Sequence, residues 1–128
     1  MTLTQKVFAL KNIAPFDTLS DAELILSANI MYEKVYENGA VIYNANTPIH
    51  NLLIVINGEV HKGDSTVNSA PLGLDCVIND DIMDEDIVAS GETTILYLSK
   101  PHLLTLLFEC PALMFGFLSQ KKGVNNEA

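Results

Sequence analysis

The sequence predicts a mainly β domain, a roll or jelly roll with helices at both ends, and three observations carry that prediction. Short β-branched or aromatic runs separated by turn residues fill the middle of the chain, from Met31 to Leu98. Apolar residues at helical spacing, punctuated by proline, mark the two ends. The length of 128 residues suits one hydrophobic core and leaves no room for a second domain.

Thr4 to Ile30 reads as two short helices joined at Ala14-Pro15-Phe16, because proline drives the residue before it out of the helical region. Ser20 and Glu23 form a capping-box pattern ahead of Leu24, Ile25 and Leu26, so the second helix starts there. Strands follow at Val35-Tyr36, Val41-Ile42-Tyr43 and Leu52 to Ile56, separated by Glu37-Asn38-Gly39 and Asn44-Ala45-Asn46. Asn57-Gly58 has the composition of a type I′ turn, so a hairpin is expected between Ile56 and Glu59-Val60, with a further turn at Gly63-Asp64. More strands are expected around Val67, at Ile87-Val88-Ala89 and from Thr93 to Leu98. Ser99 and Pro101 open a helix whose buried face is drawn from Leu103, Leu104, Leu106, Leu107 and Phe108. Pro111 breaks or restarts it, and Leu113, Met114, Phe117 and Leu118 continue it. The domain is expected over 1–120, and 121–128 reads as a polar C-terminal tail.

Seven lysines, no arginine and sixteen carboxylates give a net charge of −9. That field repels phosphate backbones and anionic membrane surfaces, and no basic patch offsets it, so neither nucleic acid nor a membrane is an expected partner. No apolar run reaches the roughly 18 residues of a membrane span, and no small-residue cleavage site follows the N-terminal stretch; a cytoplasmic location is expected. Cys76 and Cys110 lack metal-ligand spacing. They read as buried free thiols, or as one disulfide if the fold brings them together.

The order of Leu10 to Phe16, Leu19-Ser20 with Glu23-Leu24, Gly39 and Ile42, Leu53 to Val60, Leu72-Gly73, Ala89 to Leu98, and Leu103, Leu107 and Pro111-Ala112-Leu113 resembles the cyclic-nucleotide-binding domain family. The resemblance implies a cyclic-nucleotide-binding-like β-roll (a double-stranded β-helix, or jelly roll) with N-terminal and C-terminal helices. It also implies a phosphate-binding cassette that begins Phe-Gly-Glu, passes through a short helix and ends in an arginine ahead of a small residue and an alanine. In such a cassette, backbone N–H groups and the guanidinium fork hold the cyclic phosphate, and the glutamate accepts from the ribose 2′-hydroxyl.

Laid on that pattern without gaps, Leu72-Gly73-Leu74 takes the place of Phe-Gly-Glu and Met83 that of the arginine, with Asp75 and Asp84 beside them. Only Gly73 matches. Leu74 accepts no hydrogen bond, and Met83 brings neither charge nor donor. At about 1.5–3 kcal/mol for each charge-assisted hydrogen bond, losing both lowers affinity by roughly two or more tenfold steps. Asp75, Asp80, Asp81, Asp84, Glu85 and Asp86 add negative potential around the place an anion would occupy.

The run from Asn79 to Asp86 lacks the spaced donors of an EF-hand loop. It reads first as a solvated loop, next as a contact for a basic partner and last as a cation site. His50, His61 and His102 form no His-x-His pair, so structural or exposed histidines are expected, with no metal and no cofactor. Nothing resembles a nucleophile elbow or a P-loop, and no enzyme is expected. The last helix is apolar around much of its circumference; core packing and self-association both fit, and amphipathicity does not choose between them.

The expected function is therefore a non-catalytic regulatory or protein-interaction module that does not bind cyclic nucleotides, with output through a protein partner or a longer polypeptide. The alternative is a sensor of a cyclic nucleotide or another small ligand through non-standard contacts, such as an apolar cavity lined by Leu74 and Met83. A metal-dependent β-barrel enzyme is a third reading, and it requires clustered histidines.

Overall fold

The β-branched and aromatic runs between Tyr32 and Ser99 form six strands, β1 (Tyr32–Tyr36), β2 (Val41–Tyr43), β3 (Asn51–Lys62), β4 (Ser65–Val67), β5 (Ala70–Leu72) and β6 (Ile87–Ser99). The computed structural model describes residues 1–127, with side chains through Ser119. All pairings are antiparallel, and β3 and β6 are long enough to serve both halves of the roll. The first part of β3 and the last part of β6 pair with each other (Leu53 opposite Tyr97, Ile54 opposite Leu96) and carry β5 and β1 on their outer edges. The second part of β3 and the first part of β6 pair in turn (Val60 opposite Ala89) and carry β4 and β2. Leu52 to Val55 are consecutively buried, as are Ile95 to Leu98, so these segments are covered on both faces.

The corner between the two halves corrects one expectation. Asn57-Gly58 does not reverse the chain: β3 runs straight through it, and the register with β6 shifts on either side of Asn57. Gly58 does take the positive φ that a type I′ turn needs (79°), but Gly91 on β6 takes the same value nearby, and the pair forms an irregular bend. The buried Thr93 hydroxyl lies within bonding distance of the Glu59 and Gly91 carbonyls and supports that bend. The reversal falls instead at Gly63-Asp64, between Lys62 and its partner Ser65. For the same reason Ile87–Ala89 and Thr93–Leu98 are one strand, not two, with Gly91 inside it. β5 contains Pro71, which an edge strand tolerates, and it was not anticipated as a strand.

The helical segments Met1–Ile30 and Pro101 onward form a second compact unit. It contains α1 (Leu3–Leu10), a 3-10 turn (Phe16–Thr18), α2 (Asp21–Asn29), α4 (Lys100–Glu109) and α5 (Pro111–Glu127); the short α3 (Leu74–Ile78) belongs to the β unit. The Ser20–Glu23 capping box opens α2 as expected, and Thr2 and Gln5 form another at α1. Phe16 meets Phe117 edge-on with ring centroids 6.1 Å apart. Gly116 lets α5 approach Pro15, where a Cβ would come within 2.4 Å of the proline ring. α4 and the first part of α5 are bent by 104° at the Cys110–Pro111 break, and no single described helix is long and apolar enough to cross a membrane. The polar segment after Gln120 continues α5 to Glu127; Ala128 lies outside the described residues. Both cysteines are free, Cys110 buried and Cys76 only half-buried, and desolvation raises both thiols above their ordinary range.

Candidate functional site

The loop from Leu72 to Asp86 holds every residue the sequence assigns to a ligand. Leu72 ends β5 opposite Leu53, and Gly73 turns the chain with φ 88° into α3, a conformation that glycine adopts without steric cost. Leu74 is half-buried at the start of α3, whereas Asp75 and Asp84 are exposed. Met83 is 5% exposed.

The structure brings Gly73 and Met83 together. A Cβ built on Gly73 would lie 3.8 Å from Met83 Cε and 4.0 Å from its Sδ, and 2.8 Å from Ile49 Cδ1. Ile49 and, a little farther off, Met83 thus occupy the space over Gly73. Sequence reasoning did not single out Ile49. Its signal was an isolated apolar residue between Pro48 and His50, too slight to separate from ordinary core packing.

Tyr43, at the end of β2, holds this arrangement by its hydroxyl. Met83 N–H donates to that oxygen at 3.1 Å, and the hydroxyl donates to the Thr47 carbonyl. Asn46 N–H donates to the Met83 carbonyl at 2.8 Å, so both polar groups of the Met83 peptide are satisfied.

The aspartates of the acidic run are exposed and Glu85 is half-buried, and the run is not merely solvated. Asp86 Oδ1 accepts from Ala45 N–H at 2.6 Å, Asp81 Oδ1 from Ile82 N–H at 2.8 Å, and Asp80 Oδ1 from Lys100 Nζ at 2.8 Å. Among the described residues no group of three or more His, Cys, Asp or Glu side chains could hold a metal ion. His61 pairs with Thr66, its neighbour across the β3–β4 hairpin.

A cavity of about 170 Å³ opens beside the loop, with Ile49, His50, Asn51, Leu53 and Tyr97 in its wall. Burial, and then the hydrogen bond to Tyr36, raise the Tyr97 phenol above its ordinary range, so it presents a neutral hydroxyl. Neither Leu74 nor Met83 is in the wall of this cavity.

No family model matches the sequence, and no curated protein does. Solved structures do match. The regulatory subunit of a cAMP-independent protein kinase A from Trypanosoma brucei superposes with a TM-score of 0.81 at 17% identity, over 94% of this chain and 47% of that one. A triple mutant of that subunit, one of whose substitutions introduces an arginine, is bound to cAMP in the A site. The regulatory domain of Toxoplasma gondii PKA with cAMP gives 0.79 at 16%, over 94% and 49%. A cyclic nucleotide-binding domain from Methylobacillus flagellatus gives 0.78 at 19%, over 98% and 79%. The chain spans about half the length of the kinase regulatory chains it resembles. It has the cyclic-nucleotide-binding-domain fold, a β-roll with flanking helices.

Proposed function

We propose that this chain is a non-catalytic regulatory or protein-interaction module that keeps the cyclic-nucleotide-binding fold without responding to cyclic nucleotides. One observation carries the reading: at the place where the fold's cassette would present an arginine, Met83 is buried against Gly73 with no charge and no donor. That one fold neighbour is described as the regulatory subunit of a cAMP-independent kinase supports the reading.

The output surface we assign is the helical unit. Phe108 and Phe115 are 87% and 69% exposed there, and Leu104, Met114 and Leu118 are exposed beside them on α4 and α5, an apolar display that suits a protein partner or a second copy. The charge of −9 disfavours nucleic acid and anionic membrane surfaces as partners, and a cytoplasmic setting fits two free thiols. The cavity of about 170 Å³ beside Tyr97 favours a second reading, a small uncharged ligand held through contacts outside the cassette.

Calorimetric titration with cyclic AMP and cyclic GMP, beside the double variant Leu74→Glu with Met83→Arg, tests the first reading. No heat from the natural protein is expected, and any binding gained by the variant strengthens the case. Micromolar binding by the natural protein overturns it.

A further inference from the structure

Two loops of the β unit face each other, one carrying Ile49 (residues 44–50) and one carrying Met83 (residues 79–86), and the chain fastens them to each other. Tyr43 is buried, and its hydroxyl ties the Met83 N–H to the Thr47 carbonyl. Asn46 N–H takes the Met83 carbonyl, Pro48 bridges to Ile82, and Asp86 caps Ala45 N–H. Beneath these ties the side chains of Ile49 and Met83 converge on the backbone of Gly73. Asp80, Asp81, Asp84, Glu85 and Asp86 share this short segment, so like charges gather where the ties hold it.

We infer that Ile49 and Met83 form an apolar plug over Gly73, clasped by Tyr43, so that the position of residues 79–86 is set by the chain itself and not by a bound ligand. The inference deepens the functional reading above and rests on it for its meaning, since a loop fixed from within presents a constant surface to a partner. The clasp is a buried hydrogen bond, screened little by salt, whereas the outer tie from Asp80 (79% exposed) to Lys100 contributes little.

Two measurements on the full chain test it, and neither involves cyclic nucleotide, so failure here is distinguishable from failure of the functional reading. In hydrogen exchange, the Asn46 and Met83 amides are expected to be protected. Tyr43→Phe keeps the ring and removes the clasp, and should speed their exchange about tenfold, the worth of a typical hydrogen bond, while amides of residues 52–55 and 95–98 stay unchanged. In dilute hydrogen peroxide, each methionine thioether takes one oxygen atom and releases water. Met83 should oxidise far more slowly than Met114, which is 44% exposed. Ile49→Ala, which removes the plug but no hydrogen bond, should narrow that gap several-fold. Loop-like exchange at Met83, no change in the Tyr43→Phe protein, or Met83 oxidising as fast as Met114 in the natural protein would each overturn the inference.

Discussion

The β3–β6 ladder and the loop that follows β5 belong to the same β unit, yet they hold information in opposite ways. In the ladder Leu52, Ile54, Val55, Val60, Ile87, Ile95, Leu96 and Leu98 are all fully buried, and what each position requires is an apolar side chain of about the right size. Such a requirement is shared among many residues and is met by very different sequences, as the match to structures of the same fold at 16–19% identity illustrates. A phosphate grip, by contrast, depends on particular atoms at two or three positions. Leu74 and Met83 satisfy the packing of the loop while lacking those atoms. Architecture and ligand grip therefore make separate demands on the sequence.

The sharpest way to break this contrast is to damage each region by one residue. Ile54→Ala in the ladder removes a fully buried side chain opposite Leu96 and leaves a cavity, and should cost about 2–5 kcal/mol. Asp84→Asn in the exposed loop should stay within about 0.5 kcal/mol. Urea unfolding reads both as midpoints at a common slope. Equal losses would mean that the loop is as integral to the fold as the ladder.

A smaller effect is expected where the ladder bends. Gly58→Ala places a Cβ at φ 79° and within 2.4 Å of the Glu92 carbonyl oxygen, so strand β6 must shift to admit it. The left-handed backbone alone costs about 1–2 kcal/mol, and the shift adds to it. Gly39→Ala serves as the control: it has a similar φ of 84° with nothing within 4 Å, and the difference between the two isolates the close approach. If both cost the same, the bend at Gly58 is a matter of local backbone preference and not of packing between β3 and β6.

The same glycine shows where the sequence was legible and where it stopped being so. Asn57-Gly58 announces a positive φ correctly, but a dipeptide does not reveal whether that φ reverses a strand or bends it. The answer lies in Gly91, more than thirty positions away in the sequence, whose backbone bends in concert. In the loop the turn at Gly73 was readable, and the structure gives it φ 88°. The packing around Met83 was not readable, because Ile49 and Tyr43 reach its neighbourhood across sequence separations of 34 and 40 residues, and nothing local marks either one. Helix starts were the most legible feature, since a cap is made of residues three apart.

The start of α2 supplies the smallest expected effect and a last contrast with the ladder. Ser20 Oγ accepts from Glu23 N–H at 3.2 Å, and the Glu23 carboxylate accepts from Ser20 N–H at 3.0 Å. Ser20→Ala should cost about 1 kcal/mol. The bond from the Ser20 backbone, and then that from its side chain, hold the Glu23 carboxyl below its usual range. A lowered carboxyl binds its proton less readily in the folded chain than in the unfolded one, so its contribution is present above the ordinary carboxylate pKa and is lost as pH falls through the folded value. Glu23→Gln should therefore be less stable than the natural protein at neutral pH, with the difference shrinking at acid pH, as thermal unfolding at about pH 7 and about pH 3 would show. A gap that persists in acid would assign the loss to helix packing and not to the charged cap. The cap is the plainest signal in the sequence and the smallest of these expected effects, whereas Ile54, one residue in an apolar run, is expected to carry several times as much, so ease of reading does not measure energetic weight.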